Sequence, residues 1–311
     1  MNDFRLPLGT AVESFVEFIT DTFGFVFTFI RTVFDGAYES IEFLLGAPPF
    51  WAIILVLAAL AFGIRGWKFA VGTIVGLVVI LGVDEWENAM DTLALVLVAS
   101  VLTIAISLPL GVLAAKSSVA SNLIRPVLDF MQTMPAFVYL IPALILFRVG
   151  VVPGIVATII FAMAPGVRLT ELGIRSVDKE VVEAGQAFGA SPWRILRQIQ
   201  LPLATPTIMA GINQVIMLSL SMVVIAGMVG AGGLGAQVVF ALSRIDISLG
   251  FEAGLSVVIL AIFLDRITAS LGDTQSTGMF GTIRVVLRGR AKSVAMPAVA
   301  PSLAPTKPAR V

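Results

Sequence analysis

The chain contains no cysteine and no histidine. That removes disulfides, thiolate nucleophiles, Cys/His zinc sites, haem ligation through His and a Ser–His–Asp triad. Charge is scarce too: 13% of the 311 residues are Asp, Glu, Lys or Arg, where a soluble domain carries about 25%. No clustered Asp/Glu set falls inside an apolar stretch, so a carboxylate metal site is not expected. The phosphate-cradling pattern GxxxxGK[ST] is also missing, because Lys116-Ser117 and Lys292-Ser293 each follow Ala and lack the glycine frame. The residues therefore point away from an enzyme, and no cofactor is expected on this chain. Nucleic acid is not an expected partner.

What fills the space is apolar. The composition is 58% hydrophobic with a mean hydropathy of +1.01, so part of the solvent must be lipid. A bilayer core of roughly 30 Å needs about 17–25 mostly apolar residues per helix. Seven such runs are expected: Pro49–Gly66, Phe69–Val83, Thr92–Ala115, Val127–Phe147, Val151–Val167, Ala204–Val229 and Phe251–Leu264. Residues 49–271 thus read as one all-α membrane domain. Pro135 and Pro142 are expected to kink the fourth run.

Lys and Arg sort the loops. Arg65 and Lys68, then Lys116 and Arg125, then Arg168, Arg175, Lys179, Arg194 and Arg197 fall in alternate loops, and the tail after the seventh run is basic. The Asp84-Glu85-Trp86-Glu87 turn lies on the other side. By the positive-inside rule the N-terminus is expected outside and the C-terminus in the cytoplasm. The acidic start lacks a basic n-region, so no cleavable signal peptide is expected.

Residues 1–48 carry polar groups from Thr10 to Glu42 within an arc of roughly 100° on a helix at 100° per residue. The rest of that surface is rich in Phe, Val and Ile. This predicts a long amphipathic helix in the outer interface, broken near Gly24 or Gly36, acting as a membrane anchor or as a docking surface. Residues 272–311 lack apolar periodicity and are expected to be disordered.

The most informative segment is the loop 168–203. It is too long to be a simple connection, and its punctuation is complete. Ser176-Val177-Asp178 opens a helix, Gly189 stops it, Ser191-Pro192 starts a second, and Pro202 is expected to break that one. A helix–Gly turn–helix results, with Arg194 and Arg197 on its rim.

Glu183-Ala184-Gly185, three residues, Gly189, nine residues, Ile199, one residue, then Leu201-Pro202 resembles the "EAA" signature of binding-protein-dependent ABC importer permeases. The third position is commonly Ala there, so Gly185 is a small-for-small departure. Arg125-Pro126, Asp129 through Leu140, Leu203 through Ala226, Gly232-Gly233-Leu234-Gly235 and Leu264-Asp265-Arg266 are similar to glycine betaine/proline permeases, over roughly residues 40–270.

The resemblance implies a type I importer permease fold. It implies an inner-membrane homodimer served by two copies of an ABC ATPase subunit, which bind ATP and Mg, and by an extracytoplasmic substrate-binding protein. Glu183, Ala184, Gly185, Gly189 and Ala190 would meet the ATPase, and Arg194 and Arg197 would pair with its acids. The substrate implied is a compatible solute such as glycine betaine, proline or choline. Methionine, taurine or an alkylsulfonate is the alternative, since the loop signature is shared. The missing P-loop and the lack of a ligand-binding domain after the seventh run fit that division of labour.

Within the sixth run Asn213, Met217 and Ser221 repeat at four-residue spacing with Gln214 beside them. Polar groups in a membrane segment tend to face the interior, which makes this stripe a candidate translocation path. The same residue types also serve interhelical hydrogen bonding, and both readings stand. Gly227, Gly230, Gly232, Gly233 and Gly235 crowd the run's outer end as a candidate gate or hinge.

Overall fold

The computed structural model describes residues 8–272, and every regular element among them is a helix. The expected disordered tail lies outside the described residues. In lipid no water is available to satisfy backbone groups, so a chain this apolar closes its hydrogen bonds within each segment. The chain order is α1 (Leu8–Gly46), α2 (Phe50–Arg65), α3 (Trp67–Gly82), α4 (Trp86–Lys116), α5 (Ser118–Thr133), α6 (Ala136–Phe147) and α7 (Val151–Arg175). It continues with α8 (Lys179–Ala187), α9 (Pro192–Ile195), a π turn (Leu196–Gln200), α10 (Leu201–Ser221), α11 (Val223–Gly227), α12 (Gly233–Arg244) and α13 (Ile247–Gly272).

Four stretches are long and apolar enough to cross a membrane: α4, α7, the run Pro192–Gly227 and Ile247–Ser270. Two bent pairs pass the same length and apolarity requirement, Val12–Gly46 with α2 and α5 with α6, each turned by 100°. Helix α3 is apolar but has only 16 residues.

The expected run Val127–Phe147 is therefore not one straight helix but falls across the bent pair α5 and α6. Met134 sits before Pro135, and the proline ring disfavours the helical conformation there. Met134 is extended (φ −74°, ψ 136°), and so is Pro135 (φ −56°, ψ 136°). The chain resumes in a new direction from Ala136. The Tyr139 hydroxyl reaches back across the corner to donate to the Met131 carbonyl. Pro142 is carried inside α6.

Helix α7 is the centre of the bundle, packed against α4, α10, α5, α6 and α11. Its close neighbours are allowed by small residues, as in other membrane helix pairs. A Cβ on Gly111 of α4 would lie 2.8 Å from the Val167 carbonyl oxygen of α7. The largest buried apolar cluster joins α2, α3, α4 and α13 through residues such as Leu77, Ile80, Leu93 and Leu260.

Helix α1 runs 39 residues with one non-helical residue, Phe23, next to Gly24. Its Glu13, Glu17, Asp21 and Glu39 are exposed. Its second half packs on α4, with Tyr38 and Leu45 buried. Phe27 meets Phe147 of α6 edge to face at 5.7 Å.

Candidate functional site

The loop between α7 and α10 is built from local caps. Asp178 accepts from the Glu180 amide at 2.9 Å and starts α8. Gly189 ends it at φ +74°, a left-handed conformation that costs glycine nothing. The Gly189 amide donates to the Gln186 carbonyl at 2.8 Å and the Ala190 amide to Gly185 at 3.1 Å, the paired bonds of a Schellman stop. The Ser191 hydroxyl accepts from the Arg194 amide at 3.4 Å, with Pro192 in the first helical position.

Pro202 does not break the second helix, contrary to expectation. The helical chain passes through Pro202, from Pro192 by way of the π turn into α10, which ends at Ser221. Proline removes one amide and crowds the carbonyl four residues earlier. The wide π turn Leu196–Gln200 lies immediately before it and opens the ladder where that crowding falls.

The loop has two faces. Beneath, Ile174, Val177, Leu196 and Ala204 are buried, with Val182 and Ile199 packed against them. Gly185 permits this fit, since a Cβ there would lie 2.8 Å from the tip of Ile199. Outward, Glu183, Ala184, Gly189, Arg194 and Arg197 are exposed, and Gly185 and Ala190 are half-buried. Phe188 is 92% exposed and Trp193 67% exposed, on either side of the Gly189 turn. Two large apolar side chains flank an acid and two arginines, which suits a groove on another protein better than water.

Behind the loop lies a charged cluster that sequence reading did not single out. Glu171, 3% exposed, accepts at Oε1 from the Ser121 hydroxyl at 2.7 Å and from Arg125 Nη2 at 3.0 Å, both on α5. Arg175 Nε, one turn on, lies 3.1 Å from the same oxygen. Arg175 Nη2 also donates to the Ala114 carbonyl of α4 at 2.8 Å. Arg168 pairs with Asp129 of α5. These groups line a cleft of about 380 Å³. The local signal was present, since Glu171 and Arg175 stand four residues apart at the end of an apolar helix, but their partners are 46 and 50 residues away.

The path candidates are divided. Asn213 is half-buried between α10 and α13, donating to Asp265 Oδ1 at 3.2 Å and accepting from the Thr268 hydroxyl. Gln214 and Ser221 are exposed and Met217 is half-buried. The Ser221 hydroxyl donates to the Met217 carbonyl at 3.0 Å.

The glycine segment is tightly packed. A Cβ on Gly227 would lie 2.4 Å from the Gly235 carbonyl carbon, and one on Gly235 2.1 Å from the Val223 oxygen. Gly230 and Gly232 have φ of +86° and +74°. Gly233 abuts Thr92, whose hydroxyl accepts from the Leu234 amide at 2.8 Å.

The family described as binding-protein-dependent transport system inner membrane component matches residues 107–274. A glycine betaine/carnitine transport permease protein of Listeria monocytogenes, GbuB, is 47% identical over 267 residues, covering 85% of this chain and 94% of that one. The glycine betaine/proline betaine transport system permease protein ProW of Escherichia coli is 47% identical over 274 residues, covering 88% and 77%. Among solved structures, an inward-facing form of the MetNI methionine ABC transporter aligns with a TM-score of 0.56 at 21% identity, covering 60% of this chain and 93% of that one. That likeness concerns the fold alone.

Proposed function

The chain belongs to the binding-protein-dependent transport system inner membrane components, and from that premise we propose that it is the permease of an ATP-driven importer for glycine betaine, proline or choline-type compatible solutes. It is a transport subunit, not an enzyme. ATP and Mg are held by a separate ATPase subunit present in two copies. Substrate arrives from an extracytoplasmic binding protein, and a second copy of this chain completes the membrane pathway. The loop side faces the cytoplasm and the N-terminus lies outside, in keeping with the Lys/Arg bias.

The observation that carries the reading is the capped loop that displays Phe188 and Trp193 around Gly189. A rigid, partly apolar projection is what a neighbouring ATPase needs in order to push on the membrane helices. Glu183, Ala184, Gly185, Gly189 and Ala190 form its contact, with Arg194 and Arg197 for acidic partners. Nucleotide-driven closure of the ATPases then moves the bundle between outward and inward openings. Gln214, Met217 and Ser221 are the path residues open to substrate, with Asn213 beside them, and the segment Gly230, Gly232, Gly233, Gly235 forms the gate.

Compatible solutes are favoured by the transport activities of the two relatives at 47% identity. The alternative solutes, methionine, taurine or an alkylsulfonate, gain only a shared fold from the MetNI likeness. The test is ATP-dependent uptake into proteoliposomes holding this chain, its ATPase and its binding protein. Labelled glycine betaine, proline, choline, taurine and methionine form the panel. Uptake confined to the first three supports the reading; uptake of taurine or methionine overturns the substrate class.

A further inference from the structure

The loop must transmit its displacement to the membrane helices; one of its two covalent links runs on through the π turn into α10, and the other runs back through the last turn of α7. That turn has two kinds of grip. One is the apolar cluster of Ile174 and Val177 beneath the loop. The other is the carboxylate of Glu171, held by Ser121 and Arg125 of α5 and by Arg175 of α7 itself.

We propose that Glu171 is the positioning residue that makes α7, the loop behind it and α5 move as one body, so that loop displacement reaches the far side of the membrane. This inference rests on the loop being the ATPase contact.

The contacts form a continuous line. From the loop, force enters α7 through Ile174 and Val177. At Glu171 it crosses to α5, and Arg175 simultaneously holds the end of α4 at the Ala114 carbonyl. A second tie, Lys116 Nζ to Gln200 Oε1 at 3.0 Å, joins α4 to the π turn. Helix α5 leads to the 100° corner at Pro135, braced by Tyr139 on the Met131 carbonyl. Helix α6 ends beside the glycine segment, where the Gly150 amide donates to the Val229 carbonyl at 3.1 Å. Without the carboxylate, α5 and α7 touch at their charged ends with three arginines and one remaining acid, Asp129. Those like charges repel, so the α5–α7 seam loosens at its loop end and is left to the apolar contact of Leu128 with Ala164 and Val167.

A carboxylate buried for folding alone would cost stability when changed but would leave the ratio of transport to hydrolysis unaltered. The experiment therefore reads that ratio. The complete transporter, with its ATPase and binding protein, is reconstituted with wild-type chain, Glu171→Gln or Arg125→Gln. Uptake and ATP hydrolysis are both measured per inserted transporter. The expected result is a fall of at least fivefold in substrate moved per ATP for Glu171→Gln, with hydrolysis within twofold of wild type, and a smaller fall for Arg125→Gln.

Because the chain has no native cysteine, the pair Ser121→Cys with Glu171→Cys can be joined by a short thiol cross-linker. Linking should raise the ratio back toward wild type, and reduction of a cleavable linker should lower it again. An unchanged ratio in Glu171→Gln, or a linked pair that stays uncoupled, overturns the proposal. If wild-type chain itself shows no ATP-driven uptake, it is the transport reading that fails. That outcome is distinct from a coupled wild type beside an equally coupled variant.

Discussion

Gly189→Val is the substitution whose effect follows most directly from geometry. Nothing lies within 4 Å of the position a Cβ would take at Gly189, so the new side chain meets no neighbour. The whole penalty comes from the backbone, held at φ +74° by the hydrogen bonds from the Gly189 amide to the Gln186 carbonyl and from the Ala190 amide to the Gly185 carbonyl. A non-glycine residue in that region costs on the order of 1–3 kcal/mol, and a β-branched one falls at the upper end. Helix α8 has nine residues and buries none of them, too short to hold itself without its stop. A penalty of about 3 kcal/mol lowers the population of the docked geometry by roughly 150-fold.

The assay is uptake and ATP hydrolysis in proteoliposomes, with membrane insertion checked separately. Asn tolerates the left-handed region far better than other residues. The expected order of uptake is therefore wild type, then Gly189→Asn, then Gly189→Ala, with Gly189→Val lowest. Gly189→Val transporting as well as wild type, or Gly189→Asn failing as badly as Gly189→Val, would refute the argument from backbone conformation.

Phe188→Ala removes a side chain that is 92% exposed, so stability should move by less than about 0.5 kcal/mol. Co-purification of the ATPase should nonetheless weaken several-fold. Gly235→Ala places a methyl 2.1 Å from the Val223 oxygen, and inserted, folded chain should fall sharply in fluorescence-detected size exclusion. Asn213→Ala loses its bonds to Asp265 and Thr268, each worth about 0.6 kcal/mol in membrane helices. Its thermal midpoint should drop by a few degrees, and a fall in uptake without that drop would instead mark a path residue. Burial pushes the Glu85 carboxyl up; Asn88 opposes this, and Glu252 and Asp84 add to it. The proton is thus held more tightly in the folded chain. The stability so gained is full below the ordinary carboxylate range and is lost as pH rises through the raised value. Glu85→Gln should flatten that loss in thermal unfolding across pH 4–7, and a slope equal to wild type would contradict it.

What was legible in the sequence was local. The loop's caps involve residues two to five apart, so Asp178, Gly189 and Ser191 announced themselves as stops and starts. The break at Pro135 was legible as a kink, because proline restricts the residue before it, but its 100° magnitude comes from what α5 and α6 pack against. Pro202 misled because an early-helix proline has two outcomes, a stop or a widened turn. Which one occurs here depends on Leu196 and Ile199 being held in the cluster beneath the loop. The Glu171 cluster was hidden for a different reason. Its five charged groups and one serine come from α5 and α7, and only the Glu171–Arg175 spacing is visible without the fold.

The glycine segment illustrates how the same residues support two readings until contacts are known. Five glycines within nine positions suggest a hinge, because glycine frees the backbone. In the folded chain Gly227, Gly233 and Gly235 are sites where another backbone or Thr92 comes too near for a side chain. Contacts that close have no room to slide past one another, and packed interfaces shift between discrete arrangements rather than bending continuously. Movement at this end of the bundle must then carry α11, the start of α12 and the N-terminal turns of α4 together. The bond from Leu234 to Thr92 and that from Gly150 to Val229 fix the block to α4 and to the start of α7. The proposed gate would then open by displacement of that block, driven through α5 and α6 if the inferred link from the loop holds, with the φ +86° and +74° turns at Gly230 and Gly232 as the places where the chain between α11 and α12 takes up the difference.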